Sequence, residues 1–342
     1  MKRGYMERNA ALVPDELLAK RRDALIGAFG KYGVEAAVIY GDVATADELH
    51  YYVNLGPYWS AATCVLNKNG DRSIVSSMTA RVNFWVEMMS GVPREKITAA
   101  GPAVNKAMVT HLTENYSKGT AIGMIGEYFP ESMRAAIEAA GYRAVWMQEA
   151  AKTQMSQRDA GYRDTLLKGI ALMKTAIAKA FANAAEDGRT QQAVAADVEY
   201  ACRTAGAMDT LILAADAELT FMKAPDRVEQ SPWTLYMQLQ YLGEWLAVMR
   251  NTHASRNAVA FAARGKVLAA LKPGNTPYAY EAEGFEVTLC THIRSDHPAW
   301  EPQGSTKLSA GQIFSVRLRG EGVMIEDMAR MEENGAVLLT DI

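Results

Sequence analysis

The sequence predicts two domains, an α/β domain followed by an α+β domain whose sheet is largely antiparallel. Three observations predict this arrangement. The chain has 342 residues, more than a single hydrophobic core usually serves. In its first half, apolar runs typical of buried strands alternate with helical stripes. In its second half, long amphipathic helices come first and a series of strands follows, which is the pattern of an α+β domain.

The α/β domain is expected over residues 1–151. Its helices are indicated by apolar residues at helical spacing, at 15–32, 79–90 and 130–141. Its strands are short apolar runs bounded by turn residues, at 34–41, 61–67, 72–76, 120–125 and 143–147. Asn69-Gly70 separates the second run from the third, and this dipeptide is a strong hairpin signal. The sequence therefore predicts a hairpin inside this domain.

The α+β domain is expected over residues 152–342. Its helices are predicted within 152–188, at 191–202 and at 254–271, where Lys272-Pro273-Gly274 ends the last one. Its strands are predicted at 209–215, 234–241 and 243–250, with more toward the C-terminus. The stripe of Leu and Met residues on the first helix is most simply core packing, because an amphipathic helix needs an apolar face.

Composition narrows the classes of function. A net charge of −3 without a basic cluster gives no reason to expect a nucleic-acid partner. The sequence contains no run of about 18 apolar residues, so no membrane span is expected. Three widely spaced cysteines suit a reducing cytoplasm better than a disulfide framework. We therefore expect a cytoplasmic protein without a nucleic-acid or membrane partner.

An acid pair near the C-terminus, Glu326-Asp327, lies in an apolar run that reads as a strand. A buried carboxylate costs several kcal/mol unless a cation, a metal or strong donors compensate it. Such a residue is usually functional or paired. The partner of Glu326 is therefore the main question that the sequence raises.

The order of elements resembles the creatinase, prolidase and aminopeptidase P family, which has the pita-bread fold. Four stretches carry the resemblance: the long helical segment 152–181, LQYLGEWLAVMRNT at 239–252, VLAALKPGNTPYAYEAE at 267–283, and the terminal hairpin at 308–340. The resemblance implies an N-terminal α/β domain, a C-terminal pita-bread domain with a curved sheet, and a homodimer.

The resemblance also implies a change at the metal site. In metal-dependent members, two Asp, one His and two Glu bind a pair of metal ions that activate a water. Carried over position by position, the two Asp fall on Tyr236 and Ala247, and the two Glu on Arg317 and Glu326. The His position falls on Cys290, or on His292 if the alignment has a two-residue gap; both alternatives stay open.

We therefore expect no bound metal and no cofactor, since an arginine beside the site would repel a dication. Arg317 and Glu326 lie on consecutive strands of the terminal hairpin. We expect the guanidinium to replace the metal as the counter-charge of Glu326. The alternative is that the two residues form a purely structural ion pair in an inactive site.

His297 and His292 are the candidate catalytic bases, together with Glu326, because histidine is poised for proton transfer near neutral pH. Both histidines lie in a polar loop, where the simpler interpretation is a solvated side chain. A buried Cys290 is more often an inert small side chain than a nucleophile. The candidate substrate-binding residues are Arg317, Arg319, Tyr236, Phe221, Tyr58 and Trp59.

Tyr58 and Trp59 belong to an aromatic segment, 51–62, that reads as a loop. By resemblance, this segment reaches into the active site of the partner subunit. The alternative is a local aromatic cluster over the sheet of its own domain, since aromatic side chains are large packing units.

Two functions from different classes fit these residues. The first is a metal-independent, creatinase-like hydrolase or lyase that acts on a C–N or related bond of a small amino-acid-like compound. The second is a catalytically inactive relative that serves as a ligand-binding or protein-binding module. A metal-dependent Xaa-Pro peptidase fits less well. The enzyme is favoured because the site has gained charged residues and keeps two loop histidines, whereas a decayed pocket tends to fill with apolar side chains.

Overall fold

The computed structural model divides the chain into two compact units, with the division after Met155. The structure describes residues 8–157, 159–184, 190–215, 221–222, 233–252, 254–275, 280–282, 284–291, 307–320 and 322–341. Within these residues, no helix combines the length and the apolar character needed to cross a bilayer.

The first unit is an α/β domain. Its strands are β1 (Ala36–Asp42), β2 (Ala61–Asn67), β3 (Arg72–Ser76), β4 (Ile97–Ala99), β5 (Ala121–Ile125) and β6 (Arg143–Trp146). Its helices are α1 (Asp15–Gly27), α2 (Phe29–Tyr32), α3 (Asp47–Val53), α4 (Asn83–Ser90), α5 (Val104–Asn115), α6 (Glu131–Ala139) and α7 (Gln148–Gln157). The strands form one sheet in the order β4-β3-β2-β1-β5-β6.

The predicted hairpin is confirmed, because β2 and β3 have the predicted bounds and pair antiparallel. Gly70 takes φ 86° in the connecting turn, a left-handed conformation that suits glycine. The expectation of a loop over 51–62 was wrong at its start, since Tyr51 and Tyr52 belong to α3. Guanidinium groups of α1 hold the C-terminal end of this short helix: Arg21 donates to Tyr51 O at 3.1 Å and Arg22 to Tyr52 O at 2.9 Å.

The second unit combines three helices with a largely antiparallel sheet of nine strands among its described residues. The helices are α8 (Ala160–Ala184), α9 (Gln191–Thr204) and α10 (Ala254–Ala270). The strands are β7 (Asp209–Ala215), β8 (Phe221–Met222), β9 (Thr234–Tyr241), β10 (Glu244–Asn251), β11 (Tyr280–Ala282), β12 (Phe285–Cys290), β13 (Ile313–Gly320), β14 (Val323–Glu332) and β15 (Gly335–Leu338). The sheet order is β11-β12-β13-β14-β10-β9-β7-β8, and β15 pairs with β14. This confirms the predicted α/β plus α+β fold class.

Two apolar clusters build the core of the second unit. In the first, the apolar stripe of α8 packs against β9 and β10; Leu166, Ile170, Met173 and Ile177 are all buried there. In the second, α10 packs against β13 and β14 through residues such as Ala260, Val316 and Ile325. The predicted packing role of the α8 stripe is therefore confirmed. With these helices in place, the sheet residues that face away from α10 include Glu326.

Candidate active site on the β13–β14 hairpin

Arg317 of β13 and Glu326 of β14 lie directly opposite each other in the antiparallel register. Arg317 Nε and Nη2 donate to Glu326 Oε2 at 3.1 Å and 2.9 Å. The Glu326 side chain is fully buried, and that of Arg317 is 11% exposed. The pairing expected from the sequence is therefore present, and it answers which group compensates the buried carboxylate.

The pKa of Arg317 depends on its burial and on the side chains around it. Burial is the largest influence and lowers the pKa of Arg317, but the charge and hydrogen bond of Glu326 and the nearby Tyr236 and Cys290 together outweigh burial and leave that pKa above its ordinary value. Tyr236 and Cys290 contribute in the same direction, so both side chains lie near the guanidinium. Arg317 is therefore a permanent positive charge in the interior of the second unit.

Both of these hydrogen bonds use one carboxylate oxygen. The other, Glu326 Oε1, is buried and accepts no hydrogen bond from the residues that the structure describes. A buried acceptor without a partner is rare in native proteins and usually marks the place of a water, an ion or a ligand. The chemistry open to Oε1 is to accept a hydrogen bond from an N–H or O–H group.

The strand register places a row of side chains on the face of the sheet that carries Glu326. Tyr236 of β9 pairs with Met249 of β10, and Met249 pairs with Glu326. Arg317 pairs in turn with Thr288 of β12. Directly opposed residues of antiparallel strands point to the same face. Tyr236, predicted as a substrate-binding residue, is thus brought to the same row as Arg317 and Glu326, and it is fully buried.

The next row on this face contains Ser315 of β13, opposite Cys290 on one side and Met328 on the other. Ser315 Oγ is fully buried and has no hydrogen-bond partner among the described residues. Diagonal neighbours in a sheet are about 7–8 Å apart. Ser315 Oγ and Glu326 Oε1 are therefore two buried oxygens that belong to diagonal neighbours on the same face of the sheet.

Sequence reasoning missed Ser315. The available signal was alternation: in IFSVRLRG, residues two apart share a face, so Ser315 lies on the face of Arg317 and Arg319. Arg319 is exposed, and it lies opposite Glu286 and Met324 on the neighbouring strands. Arg319 is therefore an exposed positive charge on this face.

The donor set does not fit a pair of metal ions. Of the positions that the resemblance assigns to metal ligands, Tyr236, Ala247 and Arg317 offer no carboxylate or imidazole, and Glu326 is paired with a guanidinium. Within the described part of the chain, no group of three or more His, Cys, Asp or Glu side chains is placed to hold a metal ion. Dications need several such ligands.

Three predicted site residues are not placed. His292 and His297 lie outside the described residues, and so does the side chain of Phe221, whose backbone pairs with Ala215 in β8. Their roles stay predictions. Whether Cys290 or His292 takes the family's His position also stays open, although Cys290 itself lies buried in the row next to Glu326.

Tyr58 and Trp59 belong to the first unit and are partly buried there against its core. Their rings stack with centroids 6.1 Å apart, and Tyr58 meets Trp85 edge-on at 5.1 Å. This arrangement is the local aromatic cluster that the sequence analysis gave as the alternative to a role at the partner's site. A role at a partner's site stays a prediction.

Comparisons with known proteins locate the fold. No protein-family profile matches the chain, and no curated protein matches it. Solved structures do match, among them an X-Pro aminopeptidase from Thermotoga maritima MSB8 at 17% identity, with TM-score 0.75 over 94% of this chain and 97% of that chain. An Xaa-Pro dipeptidase from Bacillus anthracis matches at 15% identity, with TM-score 0.73 over 95% and 98% of the two chains. Aminopeptidase P from E. coli with the inhibitor Pro-Leu matches at 12% identity, with TM-score 0.68 over 95% and 94%.

These structures share the pita-bread fold, and this chain has the same fold along nearly its whole length. The resemblance found in the sequence is confirmed at the level of fold. Identities of 12–17% carry no activity across to this chain.

Proposed function

We propose that the chain is a metal-independent hydrolase or lyase that cleaves a C–N or related bond of a small amino-acid-like compound. The observation that carries this proposal is the buried Arg317–Glu326 pair, in which Glu326 Oε1 is left without a partner among the described residues. The folds of the neighbouring peptidases support a hydrolase of that general kind.

Each residue of the site has a separate role in binding or proton transfer. Glu326 Oε1 accepts a hydrogen bond from an N–H of the substrate, and Arg317 supplies the counter-charge that the buried carboxylate needs. Arg319 binds the substrate carboxylate, because its guanidinium is exposed and carries no ion pair with a described residue, whereas Arg317 is committed to Glu326. His297 or His292 transfers the proton.

The donor set supports the proposed metal independence. A guanidinium within hydrogen-bond distance of Glu326 repels a dication from that carboxylate. Tyr236 and Ala247 add no anionic ligand. The reaction must therefore rely on fixed charges and proton transfer by side chains.

The test is a substrate panel with the protein treated with chelator. N-amidino, N-carbamoyl and N-acyl amino acids and Xaa-Pro dipeptides are each incubated with the protein, and ¹H NMR follows their consumption. We expect one of the N-substituted amino acids to be consumed without metal, and Glu326→Gln to abolish its turnover. Consumption of Xaa-Pro dipeptides only after addition of Mn²⁺ or Zn²⁺ would replace the proposal with a metal-dependent peptidase.

An inactive binding module is the second candidate, because apolar or aromatic side chains fill part of the same face. Tyr236, Ala247 and Met249 are fully buried and belong to one apolar cluster. In that case, one panel compound would bind in calorimetry and none would be consumed at any metal concentration. That result would overturn the enzyme proposal.

We also propose a cytoplasmic homodimer in which the loop 54–60 of each chain lies near the site of its partner. The loop is flanked by two non-glycine residues with positive φ, Asn54 at 54° and Ser60 at 59°, which fix its course. None of the three cysteines forms a disulfide and all three are buried, in keeping with a reducing compartment. Light scattering at the mass of one chain would refute the dimer.

A further inference from the structure

The second acid of the pair, Asp327, is fully buried and held by three side chains from three other segments. Arg250 Nη2 of β10 donates to Asp327 Oδ1 at 2.5 Å, and Thr340 Oγ1 donates to the same oxygen at 2.6 Å. Arg264 Nη1 of α10 donates to Asp327 Oδ2. These groups lie on the opposite face of the sheet from Glu326, because consecutive strand residues point to opposite faces.

The same groups also hold the backbone on both sides of Asp327. Arg250 Nη1 donates to Glu326 O at 2.9 Å and to Met249 O at 2.8 Å. Met328 N donates to Thr340 Oγ1 at 2.9 Å. Residues 326–328 are therefore fixed by hydrogen bonds that do not belong to the strand ladder.

These hydrogen bonds lie where β10 and β14 join the two halves of the sheet, one half with β7 to β10 and the other with β11 to β15. Their register among the described residues consists of the pair Met249 and Glu326, whereas β13 and β14 pair along eight positions. Tyr236 and Met249 approach the site from one half, and Arg317 and Glu326 from the other. Arg250 bonds to the carbonyl groups of both members of the joining pair.

We infer that Asp327 is a positioning residue, which through Arg250, Arg264 and Thr340 sets where the Glu326 carboxylate lies relative to Arg317. The effect of Asp327 on a reaction rests on the proposed function, whereas its effect on the position of the Glu326 carboxylate does not. Asp327 is the anion shared by two buried guanidinium groups, whose Cζ atoms lie 5.0 Å and 4.5 Å from the Phe261 ring centroid. Removing the negative charge leaves two like charges side by side, which repel each other across the contact between β10 and α10.

The test reads the Arg317–Glu326 contact directly, with the full-length protein labelled with ¹⁵N. The Arg317 Nε–H resonance, assigned by its absence in Arg317→Lys, reports on the hydrogen bond to Glu326 Oε2. Glu326→Gln gives the reference position for a broken ion pair. We expect Asp327→Asn to move the resonance toward that reference, or to abolish it through exchange with water.

Asp209→Asn is the matched control, since Asp209 accepts from Arg203 Nη2 at 3.0 Å in the same unit but off the row of Glu326. Thr340→Val removes one hydrogen bond to Asp327 without removing a charge, so it tests the inference if Asp327→Asn fails to fold. We expect a smaller shift in the same direction. A folded Asp327→Asn or Thr340→Val protein whose Arg317 resonance moves no more than in Asp209→Asn would overturn the inference. Failure of the substrate panel would not affect this readout.

Discussion

Arg317 directs Nε and Nη2 to the same oxygen of Glu326, Oε2, at 3.1 Å and 2.9 Å. Arginine and carboxylate groups frequently pair through two parallel bonds that use both oxygens. In this pair Oε1 is buried and accepts nothing from the described residues. An ion pair serving stability alone gains nothing from an unused buried acceptor, so the geometry favours a site that accepts a ligand.

Replacing Arg317 tests how much the protein depends on this pair. Arg317→Met keeps most of the side-chain volume but leaves Glu326 buried without a counter-charge. We expect the free energy of unfolding near neutral pH to fall by ~3–5 kcal/mol, the usual cost of breaking a buried ion pair. Urea unfolding followed by tryptophan fluorescence measures this value.

The double variant Arg317→Met with Glu326→Gln is the control, because it removes both charges. It should recover much of the lost stability and should still abolish turnover if the pair is functional. A loss below about 1 kcal/mol in the single variant would place the pair with weak, solvated ion pairs.

Metal content gives a second prediction. The purified protein should carry no stoichiometric divalent metal, and EDTA should change neither its melting temperature nor its activity, because the described ligand positions are unsuitable for a dication. Elemental analysis of wild type and Glu326→Gln measures this. One or two ions per chain that disappear in the variant would contradict the prediction.

The sequence predicted local features well and long-range ones poorly, for physical reasons. The β2–β3 hairpin depends on a short turn. The Arg317–Glu326 pair, which the resemblance implied, depends on the register of one hairpin, and both features are local. The Asp327 network joins residues 63 and 77 positions apart, which no spacing pattern reveals. Helix α3 was missed because its aromatic residues favour strands and the arginines of α1 that hold its end are 30 positions away.

Substitution by alanine should change stability in opposite directions at two helical glycines. A Cβ on Gly169 of α8 would overlap Leu246 Cδ1 of β10, so Gly169→Ala should lower stability by ~1–3 kcal/mol through overpacking. Gly265 of α10 is exposed, and a Cβ there meets nothing within 4 Å. Gly265→Ala should raise stability by ~0.5–1 kcal/mol through helix propensity.

Thermal and urea unfolding of both variants tests the packing of α8 on β10. Combining Gly169→Ala with Leu246→Ala should cost less than the sum of the single changes, because the smaller side chain makes room for the new methyl group. Equal effects of alanine at Gly169 and Gly265 would show that α8 does not lie as close to β10 as the structure places it.

The pH dependence of the first unit supplies the last prediction, through His111 of α5. Burial lowers the pKa of His111 below its usual 6.5, and the nearby carboxylates of Glu114 and Asp71 oppose this without cancelling it. The unfolded chain therefore takes up this proton at a higher pH than the native protein does. The contribution of His111 to stability is complete above pH 6.5 and is lost as the pH falls toward the lower native pKa.

We expect the free energy of unfolding to decrease less between pH 7.5 and 5.5 in His111→Gln than in wild type. It should decrease more in Glu114→Gln, because that change removes a charge that favours the protonated ring. Urea titrations at pH steps of half a unit measure the three slopes, and identical slopes for wild type and His111→Gln would contradict the assignment.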